Sequence, residues 1–202
     1  MKTFFILIAF CSFLVSATVY EKFPNGKIAS ETTTNKDKSV IYKTYYVEGT
    51  LQSEVHYKDG KKDAIRTIYY KNGNIKAIEP HIGGKVNGLV VVYMADKTLH
   101  SESQYVDNKR HGIEKIYYSN GIVRDEYIYA DGKKNGVAKF YYKDGKLKSE
   151  VPYVENKIEG ITIEYYANGN VKEKVTFVQG EAKGLKQFFD VRGNLLKETI
   201  NP

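Results

Sequence analysis

Apolar and polar residues alternate along this chain in short runs that return at a fixed interval. In GIEKIYYSNGIVRDEYIYADGKKN (Gly112–Asn135), an alternating run leads into two tyrosines and a Ser-Asn-Gly turn. A longer alternating run follows, then a polar tail. The next 24 residues, GVAKFYYKDGKLKSEVPYVENKIE from Gly136, repeat the arrangement with other side chains. With the opening residue as offset 0, full repeats begin at Val40, Ala64, Gly88, Gly112, Gly136, Gly160 and Gly184, every step being 24 residues without insertion. A spacing of two between like residues is the signature of strands, and a fixed period of this length marks a repeat architecture.

Each repeat therefore predicts a hairpin, with one strand over offsets 1–6 and a second over roughly offsets 10–18. Offset 1 is aliphatic in all seven repeats and offset 5 is Tyr or Phe. Offset 11 is aliphatic, and offset 17 is aromatic or His except at the last, Asn201. Offset 9 is Gly in every repeat but the third, where Lys97 stands. A two-residue Asn-Gly turn would place the offset-5 tyrosine opposite charged offset 12. A three-residue loop with a left-handed glycine pairs offset 5 with offset 11 instead. On that register offsets 1, 5, 11 and 17 are expected on one face as the core, because a one-residue slip exchanges the faces. Offsets 6, 12 and 14 are expected on the other face, where basic offset 12 and the glutamates of offset 14 neutralise each other. Lysine in a left-handed conformation costs on the order of 1 kcal/mol, so a different local turn is expected at Ala95–Lys97.

The expected architecture is all-β: an elongated single-layer antiparallel meander of about fourteen strands in residues 40–202. At about 4.8 Å per strand it would run about 65 Å, curved or coiled rather than flat. Residues 18–39 read as a degenerate N-terminal capping repeat, FPNGKIASE imitating the later turn and strand. A terminal repeat that departs from the pattern is what an array needs to cover its end. Residues 1–17, MKTFFILIAFCSFLVSA, read as a signal peptide: Lys2, a short apolar run, then Val15 and Ala17 before cleavage near Thr18. Phe10 before Cys11 argues against a lipoprotein signal. The expected location is exported, whether periplasmic, on the cell surface or secreted.

Composition narrows the chemistry. The chain has 18 Tyr, 9 Phe and no Trp, a strand-forming set. Its one cysteine lies in the leader, so the mature chain has neither disulfide nor thiol chemistry. The formal net charge of +7 favours acidic partners, although it also serves solubility. His56, His81, His100 and His111 share no offset and stack into no common metal site. No nucleophile motif and no phosphate-cradling loop appears. No enzyme activity, no cofactor, no metal and no nucleic-acid partner is expected.

The pattern YYxNGxLxxExxYxxGKxxG, in phase from Val40 to the C-terminus, resembles the MORN repeat in its bacterial variant form. The resemblance implies strings of antiparallel hairpins that serve as scaffolds, protein-binding modules or lipid-proximal modules, some bacterial relatives being antitoxin components. It brings no catalytic residues. A protein partner is the first expectation, and an anionic lipid or envelope polymer the second. An antitoxin-like or immunity-like role is a third, carried by the resemblance alone.

Two surfaces are candidates for these partners. One is a basic edge formed by the connections between repeats: Lys61, Lys62, Lys85, Lys109, Arg110, Lys133, Lys134 and Lys157. Such a row suits an anionic polymer or head groups, and it also guards against edge-to-edge aggregation. The other is the aromatic row at offset 6, Tyr46, Tyr70, Tyr118, Tyr142 and Tyr166, which suits a stacked peptide or sugar, or packing between repeats.

Overall fold

The structure is a computed structural model. It describes residues 16–58 and 61–201, without the side chains of residues 58 and 61–63. The expected signal peptide falls outside the described residues except for Ser16 and Ala17. Among the described residues all regular structure is β, in 19 strands. The backbone divides after Thr98 into two units.

The first unit contains β1 (Ala17–Lys22), β2 (Ile28–Thr34), β3 (Val40–Tyr45), β4 (Leu51–Lys58), β5 (Lys61–Tyr69), β6 (Ile75–Ile82), β7 (Lys85–Val86) and β8 (Gly88–Tyr93). The second contains β9 (Leu99–Val106), β10 (Lys109–Tyr117), β11 (Val123–Ala130), β12 (Lys133–Lys134), β13 (Gly136–Tyr141), β14 (Leu147–Val154), β15 (Lys157–Ile158), β16 (Gly160–Tyr165), β17 (Val171–Val178), β18 (Glu181–Phe189) and β19 (Leu195–Asn201). Within each unit strands pair antiparallel with their sequence neighbours, as expected of a meander. The strand number exceeds fourteen for two reasons. Residues 17–34 form a hairpin of their own, and single-residue breaks at Asn87, Asn135 and Glu159 split three strands in two.

The turn within each repeat is the three-residue loop. In the fifth repeat Gly145 N donates to Tyr142 O at 2.9 Å and Tyr142 N donates to Lys146 O at 2.8 Å, with Gly145 at φ +85°. Tyr141 then faces Leu147, the expected pairing of offsets 5 and 11. The third repeat corrects an expectation: it keeps the same loop, with Lys97 itself at φ +74°. Asp96 offsets the strain, its carboxylate accepting from Thr98 N at 2.9 Å and from Thr98 Oγ1 at 2.6 Å. The Asn35–Ser39 loop uses the same device, with Lys38 at φ +64° and Asp37 accepting from Ser39 N at 3.0 Å.

The core assignment is corrected as well. One step beyond the turn the register slips: Tyr141 faces Leu147, but Phe140 faces Ser149, leaving Lys148 extruded as a bulge. The same slip recurs at Gln52, Lys76, Arg124, Lys172 and Leu196. Beyond it offset 2 pairs with 15 and offset 0 with 17, so the bulge moves offset 17 away from offsets 1 and 5. One face carries offsets 0, 2, 4, 13, 15 and 17, and the buried residues of the repeats lie there: Ser53, Ala64, Ala77, Val90, Ser101, Ser103, Glu114, Tyr129, Ala138 and Val175. The other face carries offsets 1, 3, 5, 14 and 16, and its aliphatic row at offset 1 is exposed, Ile161 to 54%. We refer to these as the inner and outer faces of a unit.

The inner face is packed closely enough to dictate small residues. Gly136 sits at φ +128°, and a Cβ there would lie 3.1 Å from Ile128 Cδ1. Neighbouring residues should therefore respond oppositely to one substitution. Ala138→Asp buries a charge at a site 1% exposed and should cost about 3 kcal/mol or more in denaturant unfolding. Val137→Asp, on the outer face, should cost less than about 1 kcal/mol. Equal losses would mean the faces are misassigned.

Candidate functional site

The tyrosine pair at offsets 5 and 6 points its two hydroxyls in opposite directions along the chain. The offset-6 hydroxyl donates forward to the backbone carbonyl of offset 5 in the next repeat. In the first unit Tyr46 reaches Tyr69 O and Tyr70 reaches Tyr93 O, both at 2.9 Å. In the second, Tyr118, Tyr142 and Tyr166 reach the carbonyls of Tyr141, Tyr165 and Phe189 at 2.7–2.8 Å. The candidate aromatic row is thus an inter-repeat ladder, its hydroxyls committed and its rings half-buried. Lys71 and Lys76 further cover Tyr46 and Tyr70, each 5.6 Å from the ring centre.

The offset-5 hydroxyl donates backward to a glutamate: Tyr117 to Glu102 at 2.6 Å and Tyr165 to Glu150 at 2.8 Å, both at offset 14 of the preceding repeat, and Tyr45 to Glu31 of the N-terminal hairpin at 2.7 Å. The offset-14 glutamates were expected to be neutralised by offset 12. The bulge instead extrudes offset 12, and the carboxylates meet tyrosine hydroxyls on the outer face. Burial first, and then the glutamate hydrogen bond, push Tyr45, Tyr117 and Tyr165 up to about 12.

The basic edge divides in two. Among the described residues the connections are two-residue turns with both central residues at positive φ, Asp107-Asn108, Asp131-Gly132 and Glu155-Asn156 among them. So tight a turn makes the flanking lysines strand residues, and adjacent strand residues face opposite ways. Offset 21 takes the outer face: Lys109 is opposite Val106, Lys133 opposite Ala130 and Lys157 opposite Val154. Lys85 holds the same place opposite Ile82 in the first unit. Lys133 pairs with Glu155, and Lys157 Nζ donates to Gln179 Oε1 at 3.1 Å. Offset 22 takes the inner face, so Arg110 and Lys134 leave the expected row. The side chains of Lys61 and Lys62 lie outside the described residues.

Arg110 and Lys134 enter a cluster that the sequence reading missed. Across β9 to β14 the inner face of the second unit reads Tyr105, Arg110, Tyr129, Lys134, Tyr153, aromatic and cation in turn. Tyr105 pairs with Arg110, Tyr129 with Lys134, and Gly136 with Tyr153. The Arg110 guanidinium lies 5.9 Å from the Tyr105 ring centre and 5.5 Å from that of Tyr129. Lys134 Nζ lies 3.7 Å from the Tyr127 centre and 5.2 Å from that of Tyr153. Tyr127 is itself fixed edge-on against Phe140, the centroids 5.7 Å apart.

Beneath the row is Glu114, 6% exposed, accepting from Ser103 Oγ at 2.9 Å and held by Arg110 Nε at 3.1 Å. Asp125 is paired with Arg124 at 2.9 Å. Burial, followed by the field of Glu114, pushes Tyr129 up to about 12. Burial lowers the Lys134 pKa below its ordinary value, Glu114 working against that and Arg110 adding to it. For Arg110 burial opposes the charge, yet Glu114 and the two tyrosines outweigh it and raise the pKa. One sequence signal was available for the cluster: offset 2 turns acidic at Glu114 and offset 13 at Asp125, beside cations at offset 22 of the same repeat (Lys134) and of the preceding one (Arg110).

Elsewhere, His56 contacts Glu54, and His81 Nε2 stands 3.6 Å from Glu79. Both histidines border one shallow depression in the first unit with Ala64 and Pro80. No group of three or more His, Cys, Asp or Glu among the described residues is placed to hold a metal ion.

Five segments, residues 39–59, 62–82, 110–131, 134–155 and 158–179, match the MORN repeat variant family and together span more than half of the chain. The chain belongs to that family. Segments of MORN type succeed one another at close to the period read from the sequence, and the stretch they skip contains the Asp96-Lys97 turn. MORN repeats are a non-enzymatic repeat type that mediates protein or membrane-lipid interactions. A solved structure, the wild-type TCP10 domain of Danio rerio CPAP, is similar at 18% identity over 91% of this chain and 89% of that one, with a TM-score of 0.41. No curated protein matches the chain.

The raised tyrosines set an alkaline limit on this MORN array. Their folded pKa of about 12 lies above the unfolded value of about 10. The unfolded chain thus loses these protons first, and their stabilisation, complete below about pH 10, disappears as pH rises to about 12. Thermal melting should fall across that window, and Tyr165→Phe should flatten the slope. An unchanged slope would mean that Tyr165 ionises as easily folded as unfolded.

Proposed function

We propose that this chain is an exported, non-catalytic scaffold that docks a protein partner along the outer face of its second unit. The observation carrying this reading is a row of aliphatic side chains left in water. Val106, Ile113, Val137, Val154, Ile161 and Val178 are each 40–54% exposed, and they recur repeat after repeat on one face. Isolated exposed aliphatics are ordinary, but a contiguous row in register is the mark of an interaction surface. A repeat array presents such a row as an extended strip, the form that suits a protein partner.

A second reading, attachment to an anionic lipid surface, is favoured by Lys109 and Lys157 lying beside Val106 and Val154 on the same face. The contacts of Lys133 with Glu155 and of Lys157 with Gln179 reduce the charge available to it.

Affinity capture from envelope extract separates the two readings. The wild-type chain should retain a discrete protein, and Ile113→Ser with Val137→Ser should lose it while melting unchanged. Retention by both chains alike removes the outer face from the interaction. Retention on vesicles of anionic lipid instead, falling steeply with added salt, would favour the second reading. Export rests on residues 1–17: amino-terminal sequencing of protein purified from its host should begin near Thr18, and a chain that keeps Met1 would overturn it.

A further inference from the structure

We propose that the inner face of the second unit holds a carboxylate-binding site centred on Lys134, which receives an acidic side chain of a polypeptide partner. The site is additional to the aliphatic row. It rests on the protein-partner reading for its occupant but not for its chemistry.

The charges of the cluster point to such a ligand. Glu114 is satisfied by Arg110 and Ser103, and Asp125 is satisfied by Arg124. Lys134 is left with two aromatic faces and, among the described residues, no carboxylate in ion-pair contact. A ring face stabilises an ammonium but takes none of its three N–H donors in a strong hydrogen bond. The ammonium is half-buried, and burial lowers its pKa, so an incoming anion would regain what desolvation has cost.

The unmatched charge is one. A carboxylate supplies one negative charge. A phosphate would bring nearly two into the field of Glu114 and Asp125, both close enough to act on Lys134. A sugar is disfavoured for a different reason. Ring stacking needs open aromatic faces, and those of Tyr105, Tyr127, Tyr129 and Tyr153 are already covered by Arg110 and Lys134.

The platform is also preorganised. Tyr127 is locked against Phe140, and the Lys134 backbone N–H donates to Asn156 Oδ1 at 2.7 Å. At the same offset in the repeats on either side of this pair stand Val86 and Ile158, so adjacent cations at this offset occur only at Arg110 and Lys134.

The test uses the full chain and fluorescein-labelled deca-glutamate, with binding read by fluorescence anisotropy. Lys134→Met keeps the stem over Tyr127 and should weaken binding at least tenfold without changing the melting temperature. Lys134→Arg should stay within about threefold of wild type. Lys133→Met and Lys157→Met, with the same change in net charge, should stay within about twofold. A Lys134→Met chain that binds no worse than Lys133→Met overturns the site. Tighter, Lys134-dependent binding of dextran sulfate than of deca-glutamate would overturn the carboxylate assignment in favour of a sulfated polymer. Lys134-dependent deca-glutamate binding by a chain that captures no envelope protein would sustain the site while removing the partner reading.

Discussion

The array is tied together by tyrosine hydroxyls aimed in opposite directions, both members of the pair being bonded at Tyr45-Tyr46, Tyr117-Tyr118 and Tyr165-Tyr166. A single-layer sheet has no second layer to pack against, so adjacent strands must lock one another through side chains on their own two faces. The tyrosine pair does this with consecutive residues, which an extended chain sends to opposite faces. In Tyr165-Tyr166 the first hydroxyl holds Glu150 of the repeat before, and the second holds the Phe189 carbonyl of the repeat after. A hydrogen bond to a carbonyl contributes about 0.5–1.5 kcal/mol, and one to a carboxylate about 1.5–3 kcal/mol. Individually these are modest. The forward bond recurs from Tyr46, Tyr70, Tyr118, Tyr142 and Tyr166, however, and each couples nearest neighbours only, which is how a linear array gains cooperativity.

The bulge at offset 12 has the next largest effect, since it decides what each face carries. Extruding Lys148 or Arg124 turns the rest of the second strand over, placing offsets 13 and 15 rather than 14 and 16 on the close-packed side. Small residues are then required there, and Ser53, Ser101 and Ala77 supply them. The larger aliphatics of offset 1 fall on the open side. A longer, thicker core would have hidden them, but one sheet has only one close-packed face to offer. The apolar row is thus a consequence of architecture before it is a feature of function, and its continuity along the second unit makes it available to a partner.

Much of this was legible from spacing. The period, the hairpins, the three-residue turn and the pairing of offsets 5 and 11 all follow from residue types whose backbone demands are strong: glycine at positive φ, and alternating apolar residues. Asp96-Lys97-Thr98 shows how a second vocabulary can fill the same loop. The carboxylate ties down Thr98, and lysine then adopts a conformation that its side chain alone disfavours. Lys148 gave no comparable sign of the bulge, because a lysine suits a solvated strand position as well as an extruded one. Lys133 and Lys134 were read together as loop residues for a related reason. Only the tightness of the Asp131-Gly132 turn makes them strand neighbours on opposite faces.

The offset-6 tyrosines illustrate the opposite limit, a row visible in sequence whose role the sequence left open. A recurring tyrosine fits a binding platform or a ladder equally well until the position of its hydroxyl is fixed. Recurrence in a repeat protein argues for the shared framework, since every repeat must solve the same packing problem. Specific chemistry is better sought where one repeat departs from its siblings at a position the framework has already set. Arg110, Glu114, Asp125 and Lys134 are such departures, and they converge on one face within consecutive repeats. Burying charges there is costly, and the pairing of three of them offsets that cost. The fourth, Lys134, rests on aromatic rings with its donors unspent. At this point the framework has left one cation for a group it does not itself supply.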